Sequence, residues 1–313
     1  FCDLPQLPGH KPFGGQILSH DFVEAALMVR ENWEAWLAYD LEGSYEEAPQ
    51  ALIENAQRER RWCQGNMQHT LVLFARGLRG VSRLHLILGI FGYLTGPLWL
   101  LFLLTFNYIH WYQNYTGLSN ITVQAFTPYL HLSGTAHAFL VFMICMVVIM
   151  LPKLLALIDL SHDAERRRQF GGMARATAGV VGETIFSTLH APLLMLWHTR
   201  FIITNVAGIS VGWGTQKRDA DGTTWLFAIQ RHWGHTLVGV VWGAFVWELE
   251  PMMFWWFMPV LAGMVLSIPL SVLTSRRSLG IRARSLGWFV TPEEITPPAE
   301  IISLRAQLKI HDL

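Results

Sequence analysis

Charged residues are scarce in this chain of 313 residues, because Asp, Glu, Lys and Arg together make up only 15% of it. Hydrophobic residues make up 52%, a balance that is too apolar for a soluble globular protein of this length. The formal net charge is zero, so the excess of basic residues that marks many nucleic-acid-binding proteins is missing. The composition therefore indicates an integral membrane protein and no nucleic-acid partner.

Cysteine is also scarce, and a leader sequence is missing. The three cysteines, Cys2, Cys63 and Cys145, are odd in number, far apart and without metal-ligand spacing. This pattern excludes a disulfide framework and a zinc site. The chain starts at Phe1 rather than Met and has no basic stretch followed by an apolar segment, so no signal peptide is predicted. We therefore expect the chain to be part of a longer protein.

The chain contains several long runs of apolar residues. The first run, residues 86–109, contains no charged residue and is longer than the roughly 20 residues that span a membrane. The second run, residues 135–158, is interrupted only by Pro152 and by Lys153, whose ammonium group can extend to the interface. The runs predict a mostly α-helical, polytopic membrane bundle over residues 81–275 and a cytoplasmic tail with little regular structure over 276–313. The predicted membrane helices are residues 86–109, 135–158, 235–247 and 252–273.

The distribution of basic residues predicts which loops face the cytoplasm. Residues 110–134 contain no Lys or Arg, whereas residues 164–175 contain four arginines. Because cytoplasmic loops are rich in Lys and Arg, the first loop is predicted to lie outside and the second inside. Residues 177–212 have basic residues on both sides, which requires an even number of crossings. This segment is predicted to be a helical hairpin or a helix along the inner interface, followed by a cytoplasmic loop over 213–234.

Residues 1–80 hold 11 of the 23 acidic side chains and are predicted to be soluble. A helical pattern follows Asp21, and Glu24 lies three residues later, as in a capping box. A strand is predicted over residues 35–39. A second helix is predicted to start at residues 44–47 and to end near the R-E-R-R-W motif at 58–62.

The order of motifs resembles a known family. GGQILSHD, NWEAWLAYD and RERRW, followed by membrane helices, resemble the second half of the catalytic domain of processive inverting glycosyltransferases of family 2. This family includes the cellulose, chitin and hyaluronan synthases. The stretches PFGGQILSHDFVEAAL and RERRWCQGN are most similar to the enzymes that make the backbone of osmoregulated periplasmic glucans. The resemblance implies a multi-pass protein of the bacterial inner membrane, in which residues 1–80 are the C-terminal part of an α/β, GT-A-like domain.

The resemblance also implies a reaction: transfer of glucose from UDP-glucose to a growing glucan, with inversion and with β-1,2 linkage. Such a transfer needs a carboxylate that takes the proton from the attacking hydroxyl. Asp21 would be that base, and His20 could assist it. Arg58 and Arg61 would offer planar donors to the diphosphate. Trp62 would stack against the acceptor sugar.

Further expectations follow from the same resemblance. A uridine-binding Asp and the ligands of a divalent cation, Mg²⁺, would lie upstream of Phe1, and acyl carrier protein would be a partner. Asp219 and Asp221 imitate an Asp-x-Asp metal motif but lie in a charged loop, so no metal ligand is assigned in this chain. That loop takes the place of the family's gating loop, in which Thr215 and Lys217 would act.

Simpler interpretations stay open for each feature. Asp21 could be a helix N-cap, the arginines of 58–62 could be a membrane anchor, and His20 could be a packed or surface residue. Another polysaccharide synthase would share these motifs, since sugar and linkage cannot be read from them. A channel or transporter would explain the apolar helices, but it gives no reason for Asp21 and the 58–62 motif to occur on one cytoplasmic segment.

Overall fold

The structure is a computed structural model that describes residues 6–38, 41, 49–116, 134–211 and 222–307, with the side chains of 134–138 and 305 left out. The described residues are mostly helical and contain no β-strand. The one bridge found among them is an isolated antiparallel pair between Leu7 and Gly15. The prediction of apolar α-helices is confirmed. The predicted α/β region has no strand among the described residues.

The chain forms two compact units, residues 1–107 with 188–277 and residues 108–187 with 278–313. Helices α3 and α6 each contribute to both. The first unit contains α1 (His20–Arg30), α2 (Leu52–Val72), parts of α3 (Gly80–Thr116) and α6 (Met173–Val206), then α7 (Trp225–Leu249), α8 (Pro251–Val265) and α9 (Ser267–Thr274). The second contains α4 (Gly134–His162), α5 (Ala164–Gln169), α10 (Arg277–Ser285), α11 (Pro292–Ile295) and α12 (Ala299–Gln307).

The first unit has an apolar core in which small residues allow helices to approach closely. A Cβ atom on Gly239 would lie 2.7 Å from Met264 Cβ, and one on Gly263 would lie 2.3 Å from the carbonyl oxygen of Leu189. Glycine at such contacts is typical of helix packing in membranes. The core consists of Leu103, Met195, Trp242, Val246, Met253, Phe257, Leu261 and Met264.

Three of the described helices are long and apolar enough to cross a membrane: α3, residues Phe139–His162 of α4, and α6. The predicted helices 86–109 and 135–158 lie within α3 and α4, so both are confirmed as helices. The predicted helix 235–247 is the second half of α7, which begins ten residues earlier at Trp225.

One prediction about the later helices is wrong, and one of two alternatives for another segment is excluded. Residues 252–273 are not one helix, because α8 and α9 are bent by 55° at Leu266. Pro269 explains the break, since it lacks an N–H for the carbonyl of Val265 and its ring clashes with that carbonyl. Residues 177–206 lie in the unbroken 34-residue helix α6, which excludes a hairpin. At about 1.5 Å per residue, α6 is long enough for a single crossing.

Lys153 has protein partners. Its ammonium group donates to the carboxylate of Glu183 and to the hydroxyl of Thr184, the latter at 3.0 Å. Both partners lie on α6, within the same unit. A half-buried cation in an apolar helix is stabilised by such a paired carboxylate.

The soluble segment and the tail differ as well. Residues 35–38 form no strand, because no other described segment pairs with them, and Trp36 and Leu37 are exposed; residue 39 lies outside the described residues. Helix α2 does not end at the 58–62 motif but continues to Val72. The tail contains three short helices, and one of its prolines starts a helix, since Pro292 is the first residue of α11.

Candidate functional site

The start of α1 is attached to α2 by side chains of α2. The N–H of Leu18 donates to Oε1 of Gln68 at 2.9 Å, and Nε2 of Gln68 donates to the carbonyl of Gln16 at 3.0 Å. Nε2 of His69 lies 2.9 Å from the carbonyl of Ser19. Because a carbonyl oxygen only accepts, Nε2 carries the proton. Burial lowers the pKa of His69, against an opposing effect of the Ser19 carbonyl, so the ring is neutral at pH 7.

A glycine allows this close attachment. A Cβ atom on Gly65 would lie 2.6 Å from both the Cβ and the backbone nitrogen of Ser19, a distance that side chains do not tolerate. Beside it, Oε1 of Gln64 accepts from the N–H of Val211 at 2.7 Å, and Nε2 of Gln64 lies 3.4 Å from the carbonyl of Pro12. The two motifs GGQILSHD and RERRWCQGN are therefore joined through the residues that follow Trp62.

A cavity of about 500 Å³ lies where α1, α2, α3 and α6 meet. Its volume falls in the range of roughly 300–1,000 Å³ that is typical of small-molecule sites. The lining combines aromatic rings with carboxylate, amide and imidazole groups. The lining residues are Ser19, Asp21, Phe22, Glu59, Trp62, Asn66, Gly89, Gly92, Tyr93 and His198.

Two of the predicted site residues, Asp21 and Trp62, line this cavity together. Asp21 is the second residue of α1, and its side chain is 84% exposed at the cavity mouth. The residue before the helix is Ser19, so the interpretation of Asp21 as an N-cap is wrong. His20 does not line the cavity; its Nδ1 lies 2.9 Å from Glu24 and 3.4 Å from Asp21.

The predicted arginines lie beside the cavity and not in its lining. The guanidinium of Arg58 lies over the Trp62 ring, with Cζ 4.6 Å from the ring centroid, and it donates to Asn55 at 3.1 Å. The two residues are four apart on α2, the spacing that places side chains on one helix face. Arg61 is half-buried on α2. Thr215 and Lys217, with Asp219 and Asp221, lie outside the described residues.

The sequence interpretation missed three side chains at the floor of the cavity. The hydroxyl of Tyr93 donates to Oε2 of Glu59 at 3.2 Å. Nε2 of His198 lies 3.7 Å from the same oxygen, which is ion-pair range but too long for a hydrogen bond. The rings of Tyr93 and His198 are in contact, with centroids 4.9 Å apart. One signal was available: Glu59, Trp62 and Asn66 follow the i, i+3, i+7 spacing of one helix face.

The environment of Glu59 favours its charged form. Burial raises the pKa of Glu59, but His198, the Tyr93 hydroxyl and the charge of Arg58 together hold it below its ordinary value. Next to it, burial and then the charge of Glu59 raise the pKa of Cys63 to about 12. The cavity therefore contains a carboxylate at neutral pH, and the adjacent thiol is protonated and not a nucleophile.

Two glycines on α3 allow side chains of α2 and α6 to pack closely at the floor of the cavity. A Cβ atom on Gly89 would lie 2.3 Å from Oδ1 of Asn66, and one on Gly96 would lie 2.7 Å from Cβ of His198. Substituting either residue would therefore displace a polar side chain of the site.

The described part of the chain holds no group of three or more His, Cys, Asp or Glu side chains that could bind a metal ion. Asp21 and Glu59 are the two carboxylates of the cavity lining. We therefore assign no step to a metal bound by these residues.

Known proteins resemble the chain over almost its whole length. A protein of Pseudomonas syringae pv. syringae, one of Cupriavidus pinatubonensis and one of Pseudomonas aeruginosa are each 40% identical to it, over 96%, 98% and 96% of the chain. All three are named glucans biosynthesis glucosyltransferase H. The chain is homologous to glucans biosynthesis glucosyltransferase H. It spans 35–37% of the length of these relatives.

These relatives confirm the resemblance that the motifs indicate. No protein-family model matches the chain. No solved structure matches it.

Proposed function

We propose that the protein is a membrane-bound glucosyltransferase that elongates a glucan. The observation that carries this proposal is the cavity that Asp21 and Trp62 both line. Homology to glucans biosynthesis glucosyltransferase H gives the chemistry that the cavity would serve. The three apolar helices place the protein in a membrane, which we propose to be the bacterial inner membrane, crossed several times.

In the proposed reaction the acceptor sugar stacks on Trp62 with one hydroxyl directed at Asp21. As that hydroxyl oxygen attacks the anomeric carbon of UDP-glucose, Asp21 takes its proton, and UDP leaves from the opposite face with the bonding electrons. The new glycosidic bond therefore has inverted configuration. The exposed carboxylate of Asp21, at the cavity mouth, suits this role because the donor reaches it from outside.

The arginines have a second place in the proposal. Arg61 would bind the diphosphate of the leaving UDP, and Arg58, stacked on Trp62, would hold the ring and add positive charge near the mouth. His20 would orient Asp21, from which it lies 3.4 Å away. Thr215 and Lys217 would belong to a loop that covers the site.

The remaining partners rest on the resemblance alone. We propose Mg²⁺ as cofactor, held by residues upstream of this chain, and acyl carrier protein as a partner. The product would be a β-1,2-linked backbone of osmoregulated periplasmic glucans, passed across the inner membrane.

The decisive experiment supplies labelled UDP-glucose to membranes that contain the full-length protein. We expect incorporation into a polymer, and linkage analysis should give β-1,2 bonds. A polymer with another linkage would assign the protein to a different polysaccharide. No incorporation, despite protein present in the membrane, would favour a channel or transporter and contradict the proposal.

A further inference from the structure

One oxygen atom in the cavity lining has no hydrogen-bond donor among the described residues. Both contacts of the Glu59 carboxylate go to Oε2, from Tyr93 and His198, which leaves Oε1 without a partner. Asn66 offers no such acceptor, because its amide nitrogen donates to the carbonyl of Trp62 at 2.9 Å and its Oδ1 is enclosed against Gly89 of α3. An unpaired oxygen on a partly buried carboxylate is costly, so Oε1 is the atom to which a ligand would donate.

The charge of the lining selects between possible ligands. Two carboxylates, those of Asp21 and Glu59, line the cavity, and no Lys or Arg is among the lining residues. A nucleoside diphosphate carries several negative charges and would be repelled there. A neutral sugar has a hydroxyl group that donates to the free oxygen of Glu59 and an apolar face that packs on Trp62 and Phe22. The chemistry of the cavity therefore fits the sugar acceptor better than the diphosphate of the donor.

We infer that Glu59 recognises a hydroxyl group of the terminal acceptor sugar, and that Tyr93 and His198 position the Glu59 carboxylate. The inference rests on the proposed function and names residues of the same site. Glu59 comes from α2, Tyr93 from α3 and His198 from α6, so three helices fix one carboxylate oxygen. The other oxygen is left for the ligand.

The test uses the full-length protein, purified in detergent, and calorimetric titration with a short β-linked glucose oligosaccharide in the absence of UDP-glucose. Glu59→Gln removes the charge but keeps the shape. We expect its Kd for the oligosaccharide to rise about tenfold or more, the scale of hydrogen bonds to a charged group. Its Kd for UDP-glucose should stay within about twofold, because the donor does not contact this floor.

A matched control is available on the same helix. Glu54→Gln makes the same chemical change in the first turn of α2, outside the cavity lining, and should leave both affinities unchanged. Unchanged oligosaccharide affinity in Glu59→Gln, equal weakening of donor binding, or no oligosaccharide binding by the unsubstituted protein would each overturn the inference. A different result, the absence of glucose incorporation, would contradict the proposed function.

Tyr93→Phe tests the positioning role and covers the case in which Glu59→Gln does not fold. The substitution removes only the hydroxyl that holds Oε2. We expect a rise in the KM for the oligosaccharide of about threefold, the lower end for one hydrogen bond, with kcat unchanged at saturating acceptor. A purely structural role predicts instead that kcat falls with the amount of folded protein while KM stays constant, and that result would contradict the inference.

Discussion

Helices α2 and α4 invert the usual relation between polarity and burial. Helix α2 is rich in charged and amide side chains, yet 11 of its residues are buried, including every residue from Cys63 to His69. Helix α4 is strongly apolar, yet no residue of its 18-residue apolar window is buried inside the protein. In a soluble protein the apolar helix would be the buried one.

The difference indicates which side chains are satisfied by contacts within the protein and which are suited to contact with lipid. The exposed apolar surface of α4 is suited to hydrocarbon, which satisfies it without protein contacts. The polar groups of α2 need defined partners, and Gln64, Gln68 and His69 find them in the segment that leads to Asp21. Helix α2 therefore forms part of the candidate site, whereas α4 presents an apolar surface suited to lipid.

The largest effect should come from the base. Asp21→Asn keeps the size of the side chain but cannot accept a proton, so we expect transfer to fall about 10²-fold or more, the scale of general-base catalysis. The measurement is the initial rate of glucose incorporation in the full-length enzyme, with protein level and UDP-glucose affinity checked in parallel. Because Asp21 is exposed and not an N-cap, stability should not change. Near-normal turnover would remove Asp21 from the mechanism.

The attachment of α1 to α2 should show the next largest effect. Gly65→Ala places a methyl group 2.6 Å from Ser19, so the start of α1 must move. A displacement of about 1 Å can cost up to about 10²-fold in rate, and we expect a loss of incorporation of at least about tenfold. Gly80→Ala is the control, since a Cβ there meets nothing within 4 Å. Equal activities of the two variants would show that the position of Asp21 does not depend on α2.

The stacking ring should contribute less than the base. Trp62→Ala removes the aromatic surface of the cavity, and we expect elongation to fall by about tenfold, the upper end for an aromatic contact, with donor binding unchanged. Arg61→Ala should weaken both elongation and UDP-glucose binding. The assay is polymer length together with donor affinity. If neither variant changes the product, the motif at 58–62 serves as a membrane anchor.

A charge on the apolar helix should have a smaller effect on the protein as a whole. Val147 is 56% exposed on α4, and Val147→Lys adds about 2.5–3.5 kcal/mol to the free energy of membrane insertion. We expect a lower fraction of protein that resists alkaline extraction from membranes. Gln57→Lys, on the exposed side of α2, should not change that fraction. Equal extraction of both variants would contradict the assignment of α4 to lipid.

The smallest effect should be a dependence of stability on pH. Because the folded protein lowers the pKa of Glu59, its charged form stabilises the fold above the unfolded pKa, near 4.5. That contribution is lost as the pH falls through the lower folded pKa. The Tm difference between the unsubstituted protein and Glu59→Gln should therefore be largest above pH 5 and shrink in more acidic buffer. A difference that grows on acidification would have the wrong sign.

Features that depend on residues close together in the sequence could be predicted. The helices α3 and α4 follow from long uncharged runs, and the break at Leu266 could have been predicted from Pro269. The placement of Asp21 and Trp62 in one site came from motif order. These features need no knowledge of which helices touch.

The floor of the cavity could not be predicted in this way. Glu59 and Tyr93 are 34 residues apart, and His198 lies on a third helix. Their meeting depends on close packing at Gly89 and Gly96, which a single sequence shows only as glycines in an apolar run. The length of α2 was missed for a related reason: its second half is polar because it binds backbone groups of residues 12–19, and a polar stretch alone resembles a loop.

The attachment of residues 12–19 to α2 also limits how the proposed enzyme could move. That segment is held by side chains of α2 at Leu18, Gln16 and Ser19, and its backbone-to-backbone bonds go to Leu7 and His10. Asp21 and Trp62 therefore share one rigid frame, and a tilt of α2 would carry both by the same amount. If Asp21 and Trp62 act as proposed, the separation of base and stacking surface would stay constant from one addition to the next. In the proposed elongation the glucan end would then be the moving part, advancing by one sugar past a stationary carboxylate.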